Sequence, residues 1–390
     1  MKSVYVDNAA TTKMSEKAKQ AFIEALDIYG NPSSLHSFGT SAFTALDNAR
    51  ERVAKAIGCE SKELLFTSGG SESDNWVIKG IAEIMKKKGR NHIISTKIEH
   101  HAVLHTLNAL EKQGYDVTYL SVSSDGYITA DDLRAAITDK TGLVTIMYAN
   151  NEIGTIMPIE KIGAICKQKG VLFHTDAVQA VGHIEIDVKA QNIDFLSLSA
   201  HKFHGPKGFG ALYVKKGIRL PRLLEGGQQE RGMRAGTENP AAAVATAVAL
   251  EEALTDLKSK NKRISAMRDR LIDGLLKIER CRLNGGLNPR LAGNVSVCFE
   301  GVEGEALLLS LDLKGIAASS GSACTSGSLD PSHVLLALGL PHEIAHGSLR
   351  ISLSEFNTDS DVDYILDVIP EIINRLRAMS PVWEKIKQQS

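Results

Sequence analysis

Short apolar runs alternate with helix-like stretches along the first 214 residues of the chain. The apolar runs have the length of strands that are buried on both faces. Between them lie patterns of helical period, the first capped by Ser15 and the second spanning about Thr40 to Ile57. The predicted strands are Glu63–Thr67, His92–Ser95, Asp116–Leu120, Leu143–Tyr148, Val171–His174, Phe195–Ser199 and Ala211–Val214. This alternation predicts an α/β fold with a largely parallel sheet that is covered by helices.

A second pattern starts near Lys258, where helix-rich sequence gives way to strands at 294–299 and 347–353. It ends in an amphipathic helix from about Asp359, which Pro370 is expected to kink. A chain of 390 residues is long enough for two domains. We predict a large domain over residues 15–257 and a smaller α/β domain formed by residues 1–14 and 258–390.

Candidate site residues follow the predicted strands within a few positions. They are Ser71, His100, Asn151, Asp176, Gln179 and Lys202. In an open parallel sheet, ligands bind beyond the carboxyl ends of the strands. These residues are therefore expected to meet in one site.

A glycine turn, Ser68–Ser73, joins a predicted strand to a predicted helix. Free N–H groups at the start of a helix attract an anion, and glycines let a phosphate approach closely. The turn lacks the lysine of a Walker A loop and the third glycine of a dinucleotide fingerprint. A phosphate site around Gly70 and Ser71 and a simple tight turn are both open readings.

Lys202 lies between two apolar runs, which disfavours its charged form. A neutral lysine amine supports Schiff-base chemistry, whereas a solvated loop lysine is the plain alternative. His101 and His105 are spaced for a zinc pair on a helix, but the glutamate of a His-Glu-x-x-His motif and a third ligand are missing.

Composition and charge narrow the class of protein. The net charge of −1 gives no electrostatic case for nucleic acid or an anionic membrane as the main partner. The longest apolar run, 241–250, is too short to cross a bilayer, and the first residues do not read as a secretory signal. We therefore expect a cytoplasmic protein.

The five cysteines, an odd number with no Cys-x-x-Cys pair, argue against a disulfide framework. Four of them lie in apolar or helical contexts and are expected to be inert buried thiols. Cys324 differs, because it lies in a run of Ser, Gly, Ala and Thr that is typical of an exposed loop.

Three blocks, Ser199–Lys202, His174–Gln179 and Ser320–Ser326, resemble the signature blocks of cysteine desulfurases. These are pyridoxal-phosphate enzymes of the class V aminotransferase group, with the fold-type I architecture. The likeness runs from Asp7 to Trp383. One departure is Gly70-Ser71, where many relatives carry Ala-Thr; the hydroxyl is kept.

The resemblance implies roles for residues around pyridoxal phosphate. Lys202 would hold it as a Schiff base, Asp176 would pair with the ring nitrogen, His100 would cover the ring face, and Gln179 would donate to the phenolic oxygen. Other implied cofactor contacts are Gly70, Ser71, Asn151, Ser199, His201 and, from the partner subunit of a homodimer, Thr237.

The resemblance also implies that Arg350, Asn151 and Asn8 bind L-cysteine. Cys324 would take its sulfur as a persulfide, release L-alanine and pass the sulfur to an acceptor for iron–sulfur cluster or other thio-cofactor assembly. No metal is expected in the core site, although Cys324 is a candidate transient iron–sulfur ligand.

Other readings stay open at this point. They are a selenocysteine lyase, an aminotransferase of the same fold, and a sulfur-carrier or adaptor subunit without turnover. The acceptor is also open between an iron–sulfur scaffold, a nitrogen-fixation scaffold and a tRNA-thiolation protein. The sequence ends at Ser390, whereas housekeeping bacterial relatives carry a longer tail that helps to dock their scaffold.

Overall fold

The computed structural model describes residues 2–321 and 330–388. The strands are β1 (Val4–Tyr5), β2 (Leu64–Thr67), β3 (His92–Thr96), β4 (Asp116–Leu120), β5 (Thr141–Thr145), β6 (Leu172–Asp176), β7 (Phe195–Ser199), β8 (Gly210–Val214), β9 (Cys281–Leu283), β10 (Asn294–Phe299), β11 (Ile316–Ala317) and β12 (Ser348–Ser352). The helices are α1 (Glu16–Ala25), α2 (Ser37–Ala56), α3 (Gly70–Lys86), α4 (His101–Glu111), α5 (Ala130–Ala136), α6 (Ile159–Lys169), α7 (Pro240–Leu254), α8 (Leu257–Leu275), α9 (Gly304–Asp312), α10 (His333–Ala337), α11 (His342–Ala345), α12 (Asp359–Ala378) and α13 (Pro381–Gln388).

A seven-stranded sheet in the order β2-β8-β7-β6-β5-β3-β4 forms the centre of the molecule. Strands β4, β3, β5, β6 and β7 pair in parallel, and only β8 runs antiparallel to its neighbours β7 and β2. Successive residues of a strand face opposite sides. Accordingly Ile93 and Leu143 pack into one core, while Ile94 and Val144 pack into the other. The predicted α/β class with a mostly parallel sheet is confirmed.

Several strand boundaries differ from the predicted ones, most by a single residue, and two of these differences lie next to the predicted site. The strand expected over Leu143–Tyr148 ends at Thr145, although the N–H groups of Ile146 and Tyr148 still donate to the carbonyls of His174 and Asp176. The apolar run continues past the strand because these residues stay buried in the core. Strand β6 extends to Asp176, so this carboxylate ends the strand instead of following it.

Two smaller sheets are formed by the N-terminal strand β1 and by strands β9 to β12 from the last third of the chain. The order β12-β10-β9 is antiparallel, and β1 pairs in parallel with β11, so the first residues join the last third of the chain. Their apolar faces share a separate core with α8, α9 and α12. The domain boundaries at residues 15 and 258 stay a prediction.

The helices follow simple sequence signals. The Ser15 side chain accepts from the N–H of Ala18 and caps α1, as predicted. The alanine-rich run 241–250 lies within α7, which packs on α1 and α2, since small side chains let helices approach closely. Helix α12 continues through Pro370. Among residues 2–321 and 330–388, no helix is long and apolar enough to cross a membrane.

A buried ion pair joins α2 to the short helical turn at Glu230–Gly232. The Arg50 guanidinium binds the Glu230 carboxylate at 2.6 and 2.8 Å, and the same carboxylate accepts from the N–H of Phe66 at 2.9 Å. Both side chains are nearly inaccessible, with 6% and 2% of their surface exposed. Loss of one partner would leave a buried charge without compensation.

We therefore expect Glu230→Ala to lower the free energy of unfolding by about 3–5 kcal/mol. Urea denaturation measures this loss. As a control, Glu83→Ala removes the exposed ion pair with Lys87 and should cost less than about 1 kcal/mol. Equal losses in the two variants would contradict a special role for the buried pair.

Candidate active site

A pocket of about 300 Å³ opens at the carboxyl ends of the central strands. Most of the residues predicted for the site line it together. They are Gly70, Ser71, His100, Asn151, Asp176, Gln179, Ser199, His201, Lys202 and Arg350, with Ala9, Ala10, Asp74, Met147, Ala149 and Val178 completing the wall. The predicted convergence of strand ends on one place is thus present in the structure.

The glycine turn places the start of α3 at the pocket. Gly69 has φ +151°, a conformation that side-chain-bearing residues rarely adopt, and no side chain caps this helix. A Cβ on Gly70 would lie 2.5 Å from Cγ2 of Val178, so an alanine there would require the Val178 side chain to shift. The positive end of a 17-residue helix, with the Ser71 hydroxyl beside it, suits a phosphate.

Lys202 ends a short helical turn, Ala200–Lys202, directly after β7. Its Nζ donates to the carbonyl oxygens of Ala9 at 2.6 Å and Ala10 at 2.8 Å. The Gln179 amide also donates to the Ala9 carbonyl, at 2.9 Å. The N-terminal segment therefore holds the lysine amine at the pocket, a contact that the sequence did not predict.

Asp176 and His100 form an interacting pair of buried groups. The Asp176 carboxylate accepts from the N–H of Val178 at 2.9 Å. Burial raises the pKa of Asp176, while His100 and Lys202 act to lower it. Burial lowers the pKa of His100, and its Nδ1 accepts from the N–H of Ala102 at 3.1 Å. The ring is therefore neutral with its proton on Nε2.

His201 and Ser199 flank the lysine on the wall of the pocket. Nδ1 of His201 lies 3.0 Å from the Thr11 hydroxyl, and burial next to Lys202 lowers the pKa of His201 to about 4. A neutral imidazole that donates a hydrogen bond and a serine hydroxyl are both able to contact a phosphate oxygen.

Arg350 lies on β12 with 2% of its surface exposed. Its Nη2 donates to Asp7 at 3.0 Å and its Nη1 to the backbone oxygen of Asn151 at 3.2 Å. Within the described part of the chain its Nε has no hydrogen-bond partner. Arg350 lines the pocket, and a buried guanidinium with an unused donor can bind a carboxylate.

Sequence reasoning missed a buried acid on the pocket wall, Asp74, and a buried histidine beside it, His174. Asp74 is 1% exposed and one of its oxygens has no hydrogen-bond partner in the described chain. Burial and the nearby Asp176 raise its pKa. His174 lies 3.0 Å from the Ser197 hydroxyl and 3.6 Å from Asp74. The sequence signal that could have revealed Asp74 is an acid on the apolar face of α3, close to Trp76 and Val77.

Three predicted site residues are not part of this pocket. Asn8 lines neighbouring cavities and donates to the backbone oxygen of Ser352 at 2.8 Å. Thr237 is exposed and lies in a separate depression with Arg234 and Gly236. Cys324 lies outside the described residues.

The four other cysteines are free thiols. Burial raises the pKa of Cys59, Cys166 and Cys281 to about 12 and that of Cys298 to about 11. Each thiol therefore stays protonated near neutral pH and is a poor nucleophile.

The histidines of the suggested zinc pair do stack. The rings of His101 and His105 are 4.9 Å apart, and His333 lies 4.7 Å from His101. Burial and the neighbouring imidazoles lower the pKa of His101 to about 4. Over the described ranges, no group of three or more His, Cys, Asp or Glu side chains is arranged to hold a metal ion.

The comparisons with known proteins agree on one group. The family model for class-V aminotransferases matches residues 4–365. The chain is 55% identical to the cysteine desulfurase IscS of Clostridium botulinum (strain Hall), over 98% of this chain and 97% of that protein. It is 55% identical to the protein of the same name from Methanosarcina thermophila, over 98% and 95% of the two chains.

Solved structures show the same similarity. A NifS-like protein superposes with a TM-score of 0.91 at 40% identity, covering 96% of this chain and all of that one. SspA, solved in complex with cysteine, superposes with a TM-score of 0.81 at 36% identity, covering 91% of this chain and all of that one.

The buried carboxyl of Glu99, next to His100, generates a prediction about stability and pH. Burial raises its pKa to about 8, although the hydrogen bonds from Thr96 and from the N–H of Met147 act to lower it. The unfolded chain releases this proton near its ordinary pKa of 4.5, whereas the folded chain keeps it to about 8. Stability is therefore lost as the pH rises through this window, by at most about 1.4 kcal/mol per pH unit.

Glu99→Gln cannot lose a proton, so we expect its stability relative to the wild type to rise steadily between pH 5 and pH 8. Urea denaturation at unit pH intervals measures the difference. The exposed control Glu83→Gln should give a curve parallel to that of the wild type. A parallel curve for Glu99→Gln would contradict the prediction.

Proposed function

We propose that this chain, which belongs to the class-V aminotransferase family and within it to the cysteine desulfurases, converts L-cysteine to L-alanine and delivers the sulfur for iron–sulfur cluster assembly. The observation that carries the proposal is the single pocket in which Lys202, Asp176 and His100 meet a glycine turn and the donor of Arg350. Identity of 55% to named cysteine desulfurases over nearly the whole chain supports the same reaction.

The residues of the pocket fit pyridoxal phosphate, on which the family depends. The start of α3, with Gly70 and Ser71, and the side chains of Ser199 and His201 would hold its phosphate. Asp176 would hold the ring-nitrogen proton, and the Lys202 amine would carry the cofactor. When bound, pyridoxal phosphate supplies an electron sink next to the Cα of the amino acid.

Each protein group then has a defined task. The Nε and Nη groups of Arg350 bind the substrate carboxylate, with Asn151 beside them. Asp176 stays ionised once it pairs with the protonated ring nitrogen, because an opposite charge lowers the pKa of a carboxyl group. The neutral His100 ring would cover the cofactor face and offer its Nε2 proton to the site. Lys202, which lines the same pocket, would accept and return protons at the substrate Cα.

Sulfur transfer is a displacement at the substrate sulfur. The Cys324 thiolate attacks that atom, so a new S–S bond forms as the C–S bond of the substrate breaks. The electron pair of the broken bond stays on carbon, which takes up a proton to give L-alanine. The enzyme keeps a persulfide on Cys324. The raised thiol pKa values of the other four cysteines support this choice of nucleophile.

We propose that the enzyme acts as a homodimer and that Thr237 reaches the phosphate of the partner subunit. Thr237 is solvent-exposed and lies outside its own chain's cofactor pocket. Large apolar side chains near the start of α2, namely Tyr29, Leu35 and Phe38, are 75%, 101% and 55% exposed. Such an apolar surface suits contact with a second copy.

We expect Lys202 to be the residue that carries the cofactor, because its amine is held at the pocket by the Ala9 and Ala10 carbonyls. Borohydride reduction of the enzyme with bound pyridoxal phosphate, followed by peptide mapping, should find the pyridoxyl group on Lys202. The nearby Lys207, which is exposed, serves as the internal control. A label on another lysine would refute the assignment.

We expect Cys324→Ala to keep pyridoxal phosphate bound but to lose desulfuration by several orders of magnitude, since a nucleophile that forms the covalent bond has no substitute. Incubation with L-cysteine, alkylation and mass mapping of the wild type should find one extra sulfur on Cys324. Cys298→Ala is the matched control and should keep its turnover. Normal turnover in Cys324→Ala, with the sulfur on another cysteine, would overturn the mechanism.

A further inference from the structure

Glu152 is a buried carboxyl group that the mechanism above does not use. It is 4% exposed and follows Asn151, whose backbone oxygen accepts from Arg350. The backbone of Glu152 is itself held, since its N–H donates to Asn150 at 2.8 Å and its carbonyl accepts from Asn294 at 3.1 Å. The side chain therefore starts from a fixed point next to the substrate contacts.

One carboxylate oxygen of Glu152 accepts a short hydrogen bond from the Ser332 hydroxyl. The direction of this bond follows from the other contacts of the hydroxyl. Its oxygen accepts from the N–H groups of Val334 at 3.1 Å and Leu335 at 3.3 Å, which caps α10. A serine hydroxyl has one proton, so this proton is the one available to Glu152.

Gly321 packs against the same carboxyl group. A Cβ on Gly321 would lie 2.7 Å from Oε2 of Glu152 and 3.0 Å from Cβ of Ser332. Only a residue without a side chain fits between them. Gly321 and Ser332 are therefore brought together at Glu152, although the chain between them includes Cys324.

Burial raises the pKa of Glu152 to about 7, while the Ser332 hydroxyl and the Arg350 guanidinium act to lower it. The charged and the neutral form of this carboxyl group are therefore both populated near neutral pH. The carboxyl group does not line the cofactor pocket. Its direct contacts are with Gly321 and Ser332, the two residues that flank the Cys324 segment, residues 322–331.

We propose that Glu152 is a positioning residue that holds Gly321 and Ser332 in place beside Asn151 and Arg350, and thereby fixes both ends of the segment that carries the proposed nucleophile Cys324. This inference rests on the proposed function and deepens it. It predicts that a change at Glu152 slows sulfur transfer while cofactor binding and substrate affinity stay intact, because neither the cofactor nor the substrate touches this carboxyl group.

The experiment compares five variants of the enzyme with bound pyridoxal phosphate: Glu152→Ala, Glu152→Gln, Ser332→Ala, Ser332→Thr and the double variant Glu152→Ala with Ser332→Ala. The readouts are cofactor absorbance, KM for L-cysteine, the single-turnover rate of persulfide formation on Cys324, and the rate at which iodoacetamide alkylates Cys324 without substrate. Thermal unfolding monitors stability, because Ser332→Ala also removes a helix cap worth about 1 kcal/mol.

We expect Glu152→Ala to lower the single-turnover rate by about ten- to a hundredfold, the size of effect produced by a small misplacement of reacting groups. Cofactor absorbance should stay unchanged and KM should stay within about twofold. Glu152→Gln should keep most of the rate, since its amide oxygen still accepts from Ser332. Ser332→Ala should reproduce the loss and Ser332→Thr should restore it. The double alanine variant should be no worse than either single one, because both remove the same contact.

Glu160→Ala is the matched control, because Glu160 is an exposed glutamate close by in the chain. It should leave every readout unchanged. An unchanged rate in Glu152→Ala, a loss that parallels cofactor release or unfolding, or additive effects in the double variant would each overturn the proposal. A wild-type enzyme that forms no persulfide would refute the proposed function instead. The alkylation rate of Cys324 then tests the positioning role. A positioning role requires this rate to change severalfold in Glu152→Ala and to stay unchanged in Glu152→Gln.

Discussion

The buried guanidinium of Arg350 holds three distant parts of the chain at one point. Its side chain contacts Asp7 from the N-terminal segment and the backbone of Asn151 from the loop after β5. Its backbone lies on β12 and pairs with Ser319, just before the Cys324 segment. A charged group so deeply buried is costly unless it is paired and hydrogen-bonded. The N-terminal segment, the central sheet and the small C-terminal sheet must therefore close around it together.

This closure shapes the active site, because the N-terminal segment has a second task. The carbonyls of Ala9 and Ala10 accept from Lys202, and the Ala9 carbonyl also accepts from Gln179. The segment that pairs with Arg350 on one side thus holds the lysine amine on the other. Arg350 and Lys202, the residues proposed to bind the substrate carboxylate and the cofactor, are thus both held by one short stretch of chain, Asp7 to Ala10.

The acids around the pocket divide by their surroundings into two kinds. Asp176 faces a histidine and a lysine, which oppose the effect of burial on its pKa. Glu99 and Glu152 have mainly hydroxyl and backbone partners, and burial raises their pKa to about 8 and about 7. One carboxylate therefore remains suited to hold a proton on a ring nitrogen. The others act as hydrogen-bonding anchors, Glu99 for the loop after β5 and Glu152 for the flanks of the Cys324 segment.

The order of strands and helices was readable from the sequence, because buried strands need continuous apolar runs and their helices need amphipathic ones. Asp116–Leu120, Phe195–Ser199 and Asn294–Phe299 were predicted to the residue. The meeting of strand-end residues also followed, since parallel strands share one carboxyl edge. The sheet order, the pairing of β1 with β11 and the contacts of Ala9 with Lys202 did not follow, because they join positions that are far apart in the chain and leave no local pattern. The burial of Glu99 and Glu152 is likewise a product of packing. The sequence around these two carboxyl groups does not show how deeply they are buried, because only the tertiary structure decides what surrounds them.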